Sequence, residues 1–326
     1  LNFSELKDNI LNVMRESASK QIQHIEKSGV KKNQDKTKTM NKSLEENRDV
    51  IFRHLSSKVD PKMVPTLSFL VTYCWIVISI ETRNSLWNYN SMDLSRRSGE
   101  LWETLLKNCW SYPINKTVTR FEAPSFSDVS RQIQQAFREK LQGLRLPPET
   151  IEDIFKDYKI VWSLLGESIN LNSDELFETM FDELQEETLE ADIKDKKIVV
   201  DFKGSYGSNE KGNKERLLTV ARIYDLLNAH GLTQKPYECI LAVRTVEEGG
   251  HNYLRQLEVS GLWTVKRGHE VYDMVKEYTG CDILNFVRKN NMYIVNDLNT
   301  ETQEYMTLNH TSKQNKSFAE YYLTWW

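Results

Sequence analysis

The feature that most restricts the fold is a change of hydrophobic period, and back, between residues 197 and 244. "KIVVDFK" (197–203) is an apolar, β-branched run of strand length. From Lys214 to His230 the apolar residues Leu217, Leu218, Ala221, Tyr224 and Leu227 recur at helical spacing, and Gly231 follows as a stop. "YECILAVR" (237–244) is again a strand. Strand, helix and strand in this order predict two parallel strands of one sheet, because a parallel connection needs a crossover long enough for a helix.

The flanking sequence extends this plan. A short strand at 190–194 precedes the first, across a charged turn at Asp195-Lys196, and "LWTV" (262–265) reads as a further strand. The helix "HEVYDMVKEYTG" ends at Gly280, and "NMYIV" and "EYMTL" (291–295, 304–308) read as a last hairpin. Upstream the pattern is helical. Leu101, Trp102, Leu105, Leu106 and Cys109 form an apolar stripe, "SDVSRQIQQAFREKLQG" (127–143) is amphipathic, and Pro147-Pro148 opens a helix to about residue 165. A further acidic helix begins at a cap at Asn172 or Ser173. The expected class is therefore α/β, a mixed β-sheet flanked by helices and preceded by a helical N-terminal half. Residues 1–94 form the helical region, with a flexible basic segment at about 27–42, and 95–326 the sheet-bearing domain with a hairpin at 190–203.

Composition excludes several classes. A net charge of −4 means that any nucleic-acid surface must be a local patch. The lysines at 27, 31, 32, 36, 38 and 42 are one such patch, read as an exposed arm able to rest on phosphates. Cys74, Cys109, Cys239 and Cys281 form no CxxC pair, which argues against a zinc site or disulfide framework and suits a reducing cytoplasm. The uncharged run Met63–Ile80 has the length of a membrane helix, but Pro65 and its several hydroxyl side chains favour a buried core helix. Gly207 and Gly212 imitate a phosphate loop, yet Asn213-Lys214 stands where Lys-Ser/Thr is required, so no nucleotide cofactor is expected. The six histidines form no HxxxH pair. The closing "FAEYYLTWW" is expected to be packed or to sit at a dimer contact, because free it would expose a large aromatic area.

The charged end of "KIVVDFK" carries the chemistry. Asp201 and Lys203 are two residues apart on a strand and share a face. A two-residue turn at 195–196 would set Asp192 opposite Val199, on that same face and diagonal to Asp201. An odd loop would reverse this, and a four-residue loop would preserve the parity. Asp195 or Glu190 are alternatives for the second acid. Two carboxylates at close quarters favour a hard divalent cation such as Mg²⁺, and a neighbouring lysine can orient water and offset charge on a phosphate.

Asp192, eight intervening residues and Asp201-x-Lys203 resemble the core of the PD-(D/E)XK nucleases, with Ala191 in place of the family's proline. Arg97-Ser98-Gly99-Glu100-Leu101-Trp102-Glu103 is similar to the R-x-G-x-x-aromatic-E helix that restriction endonucleases of this family carry upstream. The resemblance covers roughly 95–110 and 190–290. It implies a Mg²⁺-dependent type II restriction endonuclease acting on double-stranded DNA as a homodimer, independent of any membrane. It further implies Asp192, Asp201 and Glu103 as metal ligands, with Glu100 as the alternative helix acid, and Lys203 as the water-activating base. Candidate DNA contacts are Arg96, Arg97, Ser205, Asn209, Lys211, Asn213 and Arg216. A repair or junction-resolving nuclease of the same core, or a non-catalytic nucleic-acid-binding or interaction protein, are the competing expectations.

Overall fold

In a computed structural model of the chain, residues 2–120, 126–156, 188–204, 211–245, 252–311 and 315–326 are described, apart from the side chains of 126, 127, 130, 211–216, 219, 220, 252 and 253. The helices are α1 (Phe3–Lys27), α2 (Asn33–Ser56), α3 (Val64–Leu86), α4 (Ser91–Ser111), α5 (Phe126–Gly143), α6 (Lys211–Ala229), α7 (Asn252–Val259), α8 (His269–Thr279), α9 (Ile283–Lys289), α10 (Ile294–Asp297), α11 (Thr300–Leu308) and α12 (Phe318–Tyr322). Residues 148–156 are also helical. The strands are β1 (Thr119–Arg120), β2 (Leu189–Asp192), β3 (Lys197–Lys203), β4 (Tyr237–Val243) and β5 (Thr264–Arg267). The acidic helix expected from residue 172 lies outside the described residues.

The chain divides into two units, one of Leu1–Lys116 with Gly268–Trp326 and one of Thr117–Arg267. This corrects the expected boundary at 94. The C-terminal segment returns to the N-terminal helices, a long-range event that no local pattern announces.

The helical unit is organised by α3, which packs against α1, α2 and α4. Its apolar run is buried all round, with Leu70, Tyr73, Cys74 and Ile76–Ile78 inaccessible, as a central core helix requires. Starts are fixed by side-chain caps: Asn2 accepts from the Glu5 N–H, Asn90 from Asp93, and Ser317 with Glu320 makes a capping box. Two expectations fail here. The basic segment is mostly helix, since α2 starts at Asn33 and buries Met40 and Leu44, one turn apart, while its lysines stay on the surface. A narrow apolar stripe was enough to dock a polar run. The final hairpin is instead α10 and α11, where the Asn299 cap and buried Thr302 and Met306 impose helical spacing. The aromatic tail is packed: Trp325 Nε1 donates to Ser98 Oγ at 3.2 Å, and Trp326 Nε1 to the Met292 carbonyl at 2.9 Å.

The second unit contains a five-stranded mixed sheet in sequential order β1-β2-β3-β4-β5. β2 pairs antiparallel with both β1 and β3, whereas β3, β4 and β5 run parallel. The expected crossover is realised by α6, between β3 and β4, and a second by α7, between β4 and β5. Val199, Cys239, Leu241 and Val243 share one sheet face and join a core with Val129 and Ile133 of α5, Leu217, Ala221 and Tyr224 of α6 and Leu254 of α7. Asn228, near the end of α6, exchanges two 2.8 Å hydrogen bonds with the backbone of Tyr237 and so sutures helix to strand.

Candidate active site at the end of the first parallel strand

The hairpin register decides which acids meet. Asp192 pairs with Lys197, Ala191 with Ile198, Glu190 with Val199 and Leu189 with Val200. The loop is therefore residues 193–196, closed by the Ile193 N–H to the Lys196 carbonyl at 3.0 Å. An even loop keeps parity, so Glu190, Asp192, Val199, Asp201 and Lys203 share a face. The longer loop nevertheless slides Asp192 two residues back. It lies four residues from the level of Asp201, about 13 Å along the strand. There it binds the Lys235 ammonium, which also donates to the Ile193 carbonyl at 3.1 Å. Asp192 thus does not approach Asp201, which corrects the expected diagonal contact. Burial first, and then the Asp192 charge, raises the pKa of the nearby Tyr237 hydroxyl.

Glu190 occupies the diagonal position instead. It faces Val199, two residues from Asp201, a separation of about 7–8 Å by strand geometry. Glu190 is buried and accepts a hydrogen bond from the Thr188 hydroxyl. Asp201 is fully buried, and Lys203 Nζ lies 3.2 Å from its Oδ1 while keeping a quarter of its side chain accessible. An inaccessible carboxylate beside a partly accessible ammonium differs from the exposed ion pair that ends an ordinary strand. Such a surface pair contributes at most about 1 kcal/mol. Desolvation makes the charge balance at Asp201 far more consequential.

The carboxyl ends of the parallel strands add cations that the sequence reading did not single out. Lys203, Val243 and Arg267 stand in one row across β3, β4 and β5. Arg267 Nη1 is 2.6 Å from Glu258 Oε1, and this hydrogen bond lowers the pKa of the Glu258 carboxyl. Arg244 follows β4, and its N–H donates to the Lys203 carbonyl at 3.0 Å. The signal was present in the chain: "VVDFK", "ILAVR" and "TVKR" each end in a base. Ligands of open α/β sheets sit at this end of parallel strands.

The remaining candidates fall elsewhere. Glu103 is half-buried on α4 in the helical unit. On the same helix Glu100 accepts from Arg96 at 3.0 Å and from Arg97 at 3.3 Å, so both arginines are engaged with one acid. Ser205 and Asn209 lie outside the described residues, as do the side chains of Lys211, Asn213 and Arg216. Among the described residues, no three His, Cys, Asp or Glu side chains are gathered closely enough to hold a metal ion between them. Glu190 and Asp201 offer a two-carboxylate oxygen donor set, the chemistry a hard cation takes when water fills its other positions. No family model, no curated protein and no solved structure matches the chain.

Proposed function

We propose that the chain is a Mg²⁺-dependent endonuclease of double-stranded DNA with a PD-(D/E)XK-type core, acting as a type II restriction enzyme. The observation that carries this reading is the buried Asp201 with Lys203 Nζ at 3.2 Å and Glu190 on the diagonal, at the carboxyl end of the first parallel strand. The hairpin leading into a parallel crossover supports it as well. In this reading Glu190 takes the place first expected of Asp192, and Glu190 and Asp201 would hold the ion. Bound there, a divalent cation supplies Lewis-acid polarisation of the scissile phosphate and a more acidic water.

Within the chain, Lys203 has two tasks. Its ammonium holds a water beside the phosphate and balances the negative charge that builds on the phosphoryl oxygens. The partly accessible Lys203 and the row it shares with Arg267 draw the DNA backbone to the strand end. Asp201 keeps the ammonium aimed, because the buried carboxylate fixes the side chain from the same face. Glu103 enters the reading on resemblance alone. Two-fold symmetric DNA sites favour a two-fold symmetric enzyme, so a homodimer is part of the proposal.

The test is incubation of the protein with phage DNA, with and without Mg²⁺, followed by sequencing of the ends. Discrete Mg²⁺-dependent fragments with a common end sequence are expected. Cleavage confined to branched or damaged substrates would move the assignment to a repair or junction-resolving enzyme. Intact DNA across all substrates overturns it.

A further inference from the structure

The helical unit carries a polar cleft of about 690 Å³ between α2, the start of α4 and the turn that joins α3 to α4. The sequence builds both helical walls. Gln34, Lys38, Asn41, Lys42 and Glu45 recur every three or four residues, or sit beside one that does, and so share one face of α2. Asp93, Arg96, Arg97 and Glu100 do the same on α4. Arg83, Trp87 and Tyr89 line the cleft from the end of α3 and the turn after it. Five cations thus face three carboxylates, in a chain whose net charge is −4.

Arg83 separates this cleft from an ordinary solvated groove. Its side chain is 9% exposed, and the guanidinium carbon stands 4.2 Å from the Trp87 ring centroid and 4.8 Å from that of Tyr89. It donates to the Trp87 carbonyl and, at 3.3 Å, to Asp93, which leaves further N–H donors on the guanidinium. Burial lowers its pKa by more than Tyr89 and Asp93 raise it, the mark of a cation short of negative charge. Arg97, also largely buried, shares the single Glu100 carboxylate with Arg96. The buried Tyr89 hydroxyl has no hydrogen-bond partner among the described residues, an unmet group of the kind a bound ion or water satisfies. Trp87, by contrast, keeps 43% of its surface exposed.

We propose that this cleft binds a nucleotide, with its phosphate on Arg83 and Arg97 and its base stacked on Trp87. Guanidinium forks match the paired oxygens of a phosphate, and an aromatic ring takes any base by its flat face. The volume is that of a small-molecule site and exceeds what a bare phosphate fills. Gln34 and Asn41 offer amides to the base edge. The phosphate rests on side-chain cations and not on a glycine loop, so the missing Lys-Ser/Thr pair at 213–214 does not bear on it. The same chemistry takes a free nucleotide or one unit of a strand. The site lies in the helical unit and does not rest on the nuclease reading.

The test is calorimetric titration of the full chain, without Mg²⁺, with nucleoside 5′-monophosphates, their nucleosides, inorganic phosphate and a single-stranded oligonucleotide. A monophosphate is expected to bind about tenfold tighter than its nucleoside and than inorganic phosphate. Arg97→Gln should weaken that binding about 10- to 100-fold, and Trp87→Ala about tenfold. Lys38→Gln combined with Lys42→Gln, both at exposed positions of α2, should weaken it several-fold, and this pair decides the matter if Arg97→Gln does not fold. An oligonucleotide that binds with the same Arg97 dependence while the monophosphates do not assigns the site to a strand. Inorganic phosphate that binds as tightly as the monophosphates overturns the base on Trp87. No binding, or binding indifferent to both charge variants, overturns the proposal. The phage-DNA assay reads Mg²⁺-dependent cleavage, so the two readings fail separately.

Discussion

The two units treat buried charge in opposite ways. In the helical unit, Lys7 of α1 donates to Asp297 Oδ1 at 2.6 Å, and Tyr73 donates to the other oxygen at 2.5 Å. Burial first, and then the Asp297 charge, raises the pKa of that Tyr73 hydroxyl. Nearby, Glu81 accepts from Arg15 at 2.7 Å and from the Asn299 N–H at 2.7 Å. Each carboxylate is met by at least one partner more than 200 residues away in the chain, a pattern that ties α1, α3 and the C-terminal segment together. In the sheet unit, the buried Asp201 meets Lys203, two residues along its own strand. Charges that join distant segments serve the fold; in the proposed function, those gathered at one strand end serve a ligand.

The comparison breaks first at Lys203. Lys203→Ala should cut Mg²⁺-dependent DNA cleavage by about 10²- to 10⁴-fold, the usual worth of a positioned proton-transfer group. Because it strands the buried Asp201 carboxylate, Lys203→Ala should also cost about 3–5 kcal/mol in urea unfolding, whereas Lys203→Arg, which keeps the charge, should hold the unfolding midpoint and still lose cleavage. A Lys203→Arg variant with full cleavage would put Lys203 in the structural class.

Asp297→Ala should do the reverse. It strands Lys7, whose side chain is 6% exposed, and should cost about 3–5 kcal/mol in urea unfolding. The double variant Lys7→Met with Asp297→Leu should recover much of that loss, because well-packed apolar residues often replace a buried pair at little cost. No recovery would mean that the charges do more than hold the unit together.

The finest distinction is between the two acids of β2. Glu190→Gln should lower cleavage strongly, with a shifted Mg²⁺ requirement. Asp192→Asn should leave activity within a few-fold and change stability by at most about 1 kcal/mol, since its partner Lys235 is a partly exposed ion pair. Equal losses at both positions would show that the register in solution differs from the four-residue loop.

Much of the fold was legible along the chain. Periods of two and 3.6 located β3, α6 and β4, the uncharged run located α3, and glycines closed α6 and α8. Strand parity alone put Asp201 and Lys203 on one face. The basic first half of α2 and the short helices α10 and α11 were not legible, because their apolar stripes are narrow and acquire meaning only against the core they dock on.

What the sequence determined by itself is the local grammar: where strands and helices stand, and that an acid and a base end a buried strand on the same side. What only the tertiary structure decided is pairing across distance. Loop 193–196 chose Glu190 over Asp192, since register depends on how the chain closes its turn and not on either strand. The return of residues 268–326 to the N-terminal helices brought Lys7 to Asp297. Such contacts follow from the burial of whole faces, a quantity that no window of the sequence contains.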